Sequence, residues 1–270
     1  MLSRLIGAVV RSILVVILIA TPALLIPGVS ADAKQIVALV AIFGAALTIF
    51  EYASTYPGLI EFRDAPPYNR FRFLSLFATV FLLSLTCRHV LDPALSTQSI
   101  YDFAAMAGRL LDFPYSPVRL VILMMPPDST FEHLDTVRMV AGVSYGVGLL
   151  TVAVFYLYIN AIDWPFTARR FNVWVNLPTF DPTSGGDVVF RMYRDASLNM
   201  RLGFLLPFLI PALVKLWAFV FEPISLESHQ NLVWAISAWA FLPASLFMRG
   251  LALARIAEMI EEKRRAYSEA

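Results

Sequence analysis

The sequence predicts an all-α integral membrane protein, a polytopic bundle of about six transmembrane helices with both termini on the inner side. Three observations carry this. Of 270 residues 59% are hydrophobic and 15% charged, with a mean hydropathy of +0.69, whereas a soluble domain carries about 25% charged residues. The apolar residues gather into stretches near the ~20 residues that a helix needs to cross a hydrocarbon core. The basic residues then sort to one side of those stretches. A large buried core would not explain the charge deficit, because such a chain still needs a polar surface unless lipid covers it.

The spans fall at about 8–27, 35–53, 73–91, 139–162, 203–222 and 231–253, within a single transmembrane domain over 1–270. The first follows Arg4 and Arg11. It can also be read as a secretory leader cut near Val29-Ser30-Ala31, which would leave five spans with unchanged loop orientations. The length of its apolar run favours a retained anchor. Arg11, Arg88 and Arg249 sit near span ends, where their side chains can snorkel to headgroups. Pro66-Pro67, Pro114 to Pro117 and Pro126-Pro127 mark element boundaries.

Between the third and fourth spans, Val118 to Met125 is apolar but too short to cross. Ser99 to Asp112 reads as an amphipathic helix lying on the outer surface. Ile100, Phe103, Ala107, Leu110 and Leu111 form its apolar stripe, and Ser99 with Asp102 resembles a capping box with Asp in place of Glu. The segment Trp164 to Leu202 is too long for a plain connector. Its Asp181-Pro182-Thr183-Ser184-Gly185-Gly186-Asp187 stretch is a turn by residue chemistry. That turn joins Phe171 to Leu177 with Val188 to Tyr193 in a hairpin lying on the membrane or docked on a partner. Gly185-Gly186 lacks the lysine and spacing of a phosphate-binding loop. The sixth span is expected to run on as one helix past Arg249. Leu253, Ile256 and Ile260 form its stripe there, and Glu261 stands four residues before Arg265 in the favourable ion-pair order.

Orientation follows from charge. With the N-terminus inside, the inner side holds Arg4, Arg11, Arg63, Arg70, Arg72, Arg169, Arg170, Arg191, Arg194, Arg201, Arg249, Arg255, Lys263, Arg264 and Arg265. The outer side holds Lys34, Arg88, Arg109, Arg119 and Arg138. Both termini are therefore expected inside, with 54–72, 164–202 and 254–270 cytoplasmic. The preponderance of arginine over lysine fits a GC-rich bacterial genome, and the expected location is a bacterial inner membrane.

Four sets of residues stand out. Phe62-Arg63-Asp64-Ala65 and Tyr193-Arg194-Asp195-Ala196 echo each other at a constant offset, each before a span. They suggest a parallel repeat of spans two and three as four and five. The simpler reading has Asp64 and Asp195 capping the next helix and the arginines in anionic headgroups. Gly142 and Gly146 in span four, with Ser144 and Gly148 beside them, have the spacing at which helix backbones approach closely. Packing within the bundle is the simpler outcome and dimerisation the sharper one. Lys215 is the ionisable residue deepest in a span, with Glu222 two turns away on the same face. Snorkelling outward suits it better than a proton relay, and the nearby Pro207 and Pro211 free backbone carbonyls that could line a cavity. His89, His133 and His229 all fall outside, near Cys87, Met124 and Met125. Such donors suit copper or haem, but Cys87 and His89 do not share a helix face and no His-x3-His pair exists, so neither metal nor cofactor is expected.

A net charge of +1 gives no basic field for nucleic acid. One cysteine excludes an internal disulfide. No motif names a reaction. The favoured function is a non-enzymatic accessory or assembly subunit of a larger membrane complex, its partners being lipid and another membrane protein or a second copy. A small transporter or channel is the alternative, and an outer-face haem or copper protein the third.

Overall fold

The computed structural model describes residues 2–162, 164–165, 172–180, 185–218, 220–221 and 226–268. Those residues form helices α1 (Leu2–Leu25), α2 (Ala31–Ala53), α3 (Tyr68–Leu91), α4 (Leu95–Leu111), α5 (Pro117–Met124), α6 (Phe131–Ala161), α7 (Val173–Asn176), α8 (Val188–Trp217) and α9 (His229–Ser268), and no strands among them. Six of these, α1, α2, α3, α6, α8 and α9, are long and apolar enough to cross a membrane. The architecture is compatible with an integral membrane protein.

Capping chemistry sets several helix starts. Ser30, Ser116, Thr130 and Asp187 are the N-caps of α2, α5, α6 and α8, each accepting a hydrogen bond from a backbone N–H of the first turn. Ser30 follows Gly28, whose φ of +79° makes the tight turn between α1 and α2. Helices therefore begin earlier than the apolar windows suggest. α8 starts at Val188 rather than 203, so Val188 to Tyr193 is its first two turns and not the arm of a hairpin. α9 runs unbroken to Ser268, as its stripe implied, with Leu253 and Ile256 buried and the Glu261–Arg265 pair formed at 2.8 Å.

The long helices have a basic end, which carries the start of α1, α3 and α8 and the finish of α2, α6 and α9, and an opposite end. α3 and α6 are antiparallel: Tyr68 meets Phe155, and Thr151 Oγ1 donates to Ser75 Oγ at 3.0 Å. α6 and α9 are parallel, joined where Ser144 Oγ donates to the Ile236 carbonyl. The core divides along the axis. At the basic end Phe62, Tyr68, Phe155, Trp164, Leu177, Met192 and Ile256 pack together. Towards the opposite end Val80, Leu83, Val118, Val140, Leu232 and Ile236 do so.

α4 corrects the start and the capping expected for the helix between the third and fourth spans. It begins at Leu95, so Ser99 and Asp102 lie inside it, and Asp102 accepts from the Gln98 side chain instead of forming a capping box. Its buried face is Thr97, Ala104 and Gly108, while Phe103 and Leu110 of the expected stripe are exposed. Small residues decide this. A Cβ on Gly142 would lie 2.6 Å from Gly108 Cα, so the α4 and α6 backbones touch there. Gly142 and Gly146 thus face α4, and Gly148 faces Ala240 and Ala244 of α9. The small-residue spacing is used within the chain. The turn after α4 is pinned by the nearly buried Asp112, which pairs with Arg119 at 2.7 Å and Arg138 at 2.9 Å.

A candidate functional site at the basic end

The loop 54–67 is shaped by side chains that reach back to its own backbone. Glu51, at the end of α2, is buried and accepts from the N–H groups of Gly58, Leu59 and Ile60. Arg63 donates to the carbonyls of Glu51, Ser54 and Thr55. The guanidinium is only 5% exposed, so its charge is fixed in place. Phe62 adopts φ +52°, a left-handed conformation that costs a non-glycine residue roughly 1–2 kcal/mol. Asn176 holds it there. The Asn176 carbonyl accepts from Phe62 N–H at 2.6 Å and its Oδ1 from Asp64 N–H at 2.9 Å. The Phe62 ring then packs 4.3 Å from Tyr68 and 5.9 Å from Trp164.

A second tie joins this loop to α9. Arg249 donates Nε to Glu61 Oε2 at 2.6 Å and Nη2 to Oε1 at 2.9 Å, a bidentate pair. Thr179 Oγ1 donates to the same carboxylate at 2.5 Å, and Asn69 donates to the Glu61 carbonyl. Arg249 therefore does not snorkel. Residues 172–180 dock on the chain's own loop through Asn176 and Thr179, and Val173–Asn176 is helical where the arm of a hairpin was expected. Phe171 and 181–184, including most of the expected turn, and Asp163, Arg169, Arg170 and Glu222 lie outside the described residues.

Beside this clasp is a cleft of about 220 Å³ lined by Arg4, Gly7, Arg11, Tyr52, Arg63 and Asp64. Arg11 donates to the Gly7 carbonyl and lies 4.5 Å over the Tyr52 ring. Asp64 is more than half exposed and 3.4 Å from Arg63.

The echoed tetrapeptides are not equivalent in backbone. Arg63 and Asp64 lie in turns before α3, whose N-cap is Pro67 without a side-chain cap, so Asp64 caps nothing. Arg194 and Asp195 lie inside α8, where the Asp195 carbonyl accepts from Asn199. Lys215 stands in the last turn of α8, not deep in a span, because that helix begins early and ends at Trp217. The histidines divide. His89 is buried, with Nδ1 2.7 Å from Thr97 Oγ1 and its ring 4.7 Å from Tyr101, while His133 and His229 are electrostatic neighbours. Among the described residues no three His, Cys, Asp or Glu side chains are grouped to hold a metal ion.

Glu51, Glu61, Asn176, Thr179 and Tyr52 were missed by sequence reasoning. Glu51 offered the one available signal, a carboxylate at the edge of an apolar span. The others act through contacts distant in sequence. No family model, curated protein or solved structure matches the chain.

Proposed function

We propose that the chain is a non-enzymatic accessory or assembly subunit of a larger membrane complex. It resides in a bacterial inner membrane with the basic end cytoplasmic, an orientation supported by the excess of arginine at that end. The observation that carries the reading is a hydrogen bond inside α8 and α9. Pro211 has no N–H, so the Pro207 carbonyl loses its helical donor. A transporter uses such freed carbonyls to hold its cargo. Here Trp239 Nε1 donates to the Pro207 carbonyl at 3.1 Å in a buried position. The break in the helix is used for packing. The charged groups support the same reading: Glu61 and Arg249 tie the basic end, Asp112 with Arg119 and Arg138 the opposite one, and Lys215 lies in a terminal turn.

The test combines isolation and transport. Gentle solubilisation from its native membrane should recover the chain with a defined membrane-protein partner, and Lys215→Leu should leave membrane insertion and that partnership intact. Substrate or ion flux through proteoliposomes of the purified chain, abolished by Lys215→Leu, would overturn the reading in favour of a transporter.

A further inference from the structure

We propose that the cleft between the start of α1, the end of α2 and the turn at Arg63 binds a phosphate group. Three arginines line it, Arg4, Arg11 and Arg63, and guanidinium is the side chain best matched to phosphate oxygens. Their charge is not cancelled locally. Arg4 has no carboxylate partner among the described residues. Arg11 is engaged by a carbonyl and a ring, which leave its charge in place. The carboxylates nearby are committed: Glu51 to the N–H groups of Gly58 to Ile60, Glu61 to Arg249. Asp64 alone borders the cleft, at 3.4 Å from Arg63 and turned largely to solvent.

The site is also built. Arg63 is held by three carbonyls at 5% exposure, so one cation is positioned before any ligand arrives. The fields of Arg11 and Arg63 converge on the Tyr52 phenol, which lines the same cleft. A cleft of about 220 Å³ admits a phosphate with the glycerol of a headgroup. Its place fits a lipid as well. It opens where two apolar helices end, and the flanks that run from it are exposed and apolar: Ile6, Val10 and Ile13 on α1, Phe43 and Phe50 on α2. Such flanks can take acyl chains beneath a phosphate, as basic pockets at membrane surfaces do.

The full chain, purified in a neutral detergent, separates the sources of phosphate. Binding is measured by native mass spectrometry and thermal shift with phosphatidylglycerol, phosphatidylcholine and glycerol phosphate. Phosphatidylglycerol is expected to bind roughly tenfold or more tightly than phosphatidylcholine, and Arg4→Gln with Arg11→Gln to abolish that preference. Neither side chain bonds the loop, and the packing interaction lost is the Arg11 contact with the Tyr52 ring, so the variant should fold with a melting midpoint close to that of the wild type without lipid. If glycerol phosphate binds with the same dependence on Arg4 and Arg11, the site stands and its ligand is a soluble phosphate. Arg194→Gln with Arg201→Gln removes equal charge from the exposed face of α8 and should leave binding unchanged. The proposal fails if neither anionic phosphate probe binds more tightly than phosphatidylcholine, whose choline cancels the charge of its phosphate. It also fails if both double variants weaken binding equally, since that is bulk surface attraction.

Discussion

The hairpins α1–α2 and α8–α9 are both antiparallel pairs of long apolar helices, yet they are held differently. Among the described helices α2 packs against α1 alone, and 11% of its apolar window is buried, against 50% for α9. α2 is nonetheless the more hydropathic of the two. In water that ordering would be reversed. In a bilayer the most apolar helix can be the least buried, because lipid covers it as well as protein does. α8 and α9 are joined by specific features instead. A Cβ on Gly203 would lie 2.7 Å from the Pro243 carbonyl oxygen, and one on Gly250 2.7 Å from that of Ala196. Trp239 bonds Pro207, Tyr193 bonds Glu261, and Arg264 bonds Asp187.

The largest effect expected is at the tie between the two regions. Arg249→Leu leaves the Glu61 carboxylate, 11% exposed, with Thr179 as its remaining side-chain donor. The cost should be about 3–5 kcal/mol, as for one partner removed from a buried pair. Reversible unfolding in mixed micelles would show it, and a loss under ~1 kcal/mol would mean that the clasp does not secure α9.

Next comes a paired glycine test of close packing. Gly203→Ala pushes a methyl into backbone atoms that cannot yield, at about 1–3 kcal/mol. Gly44→Ala in α2 meets the Ile19 Cδ1 at 2.9 Å, the mobile end of a side chain, and should change stability by no more than about 0.5 kcal/mol. Equal losses from the two variants would erase the distinction between the hairpins.

What was legible in the sequence follows the same division. The six apolar helices and the continuous end of α9 could be read because hydropathy and period report them locally. The start of α8 could not. Residues 188–202 carry Arg191, Arg194, Asp195 and Arg201, so an apolar window rejects them, while the Asp187 cap and the packing of Ala196 and Met200 on Gly250 make them helical. The face of α4 that packs on α6 went unread because its contact rests on Gly108 against Gly142, and hydrophobic periodicity is blind to glycine. The clasp was invisible for another reason. Glu61 finds Arg249, and Asn176 finds Phe62, across more than a hundred residues of chain.

Trp239→Phe probes a smaller term. The ring is kept and the donor to the Pro207 carbonyl is lost, which should cost about 1 kcal/mol for the orphaned acceptor. Hydrogen exchange should rise in α8 around Pro207 and remain unchanged in α1 and α2. An equal rise in both hairpins would show that they share one unfolding unit.

The smallest effect is electrostatic and lies at the exposed end of the α8–α9 pair. Asp187 caps α8 through Val189 N–H and pairs with Arg264 at 2.7 Å. The hydrogen bond from Arg264 holds its carboxyl below the ordinary value of 3.8, helped by the Val189 N–H. A depressed folded pKa fixes the sign. The pairing is fully present above the ordinary value, so nothing should change between pH 7 and about pH 5. It is lost as pH falls through the depressed folded value. Spin labels at Phe190 and Lys263 should therefore report a constant distance at neutral and mildly acidic pH, and separation of the helix ends only in stronger acid. Asp187→Asn keeps a good N-cap while removing the charge, so the ends of this variant should sit apart at every pH with the helix start intact. A wild-type separation that sets in near neutral pH would assign the contact to another group, and α1–α2, which has no such pair at its free ends among the described residues, supplies the control.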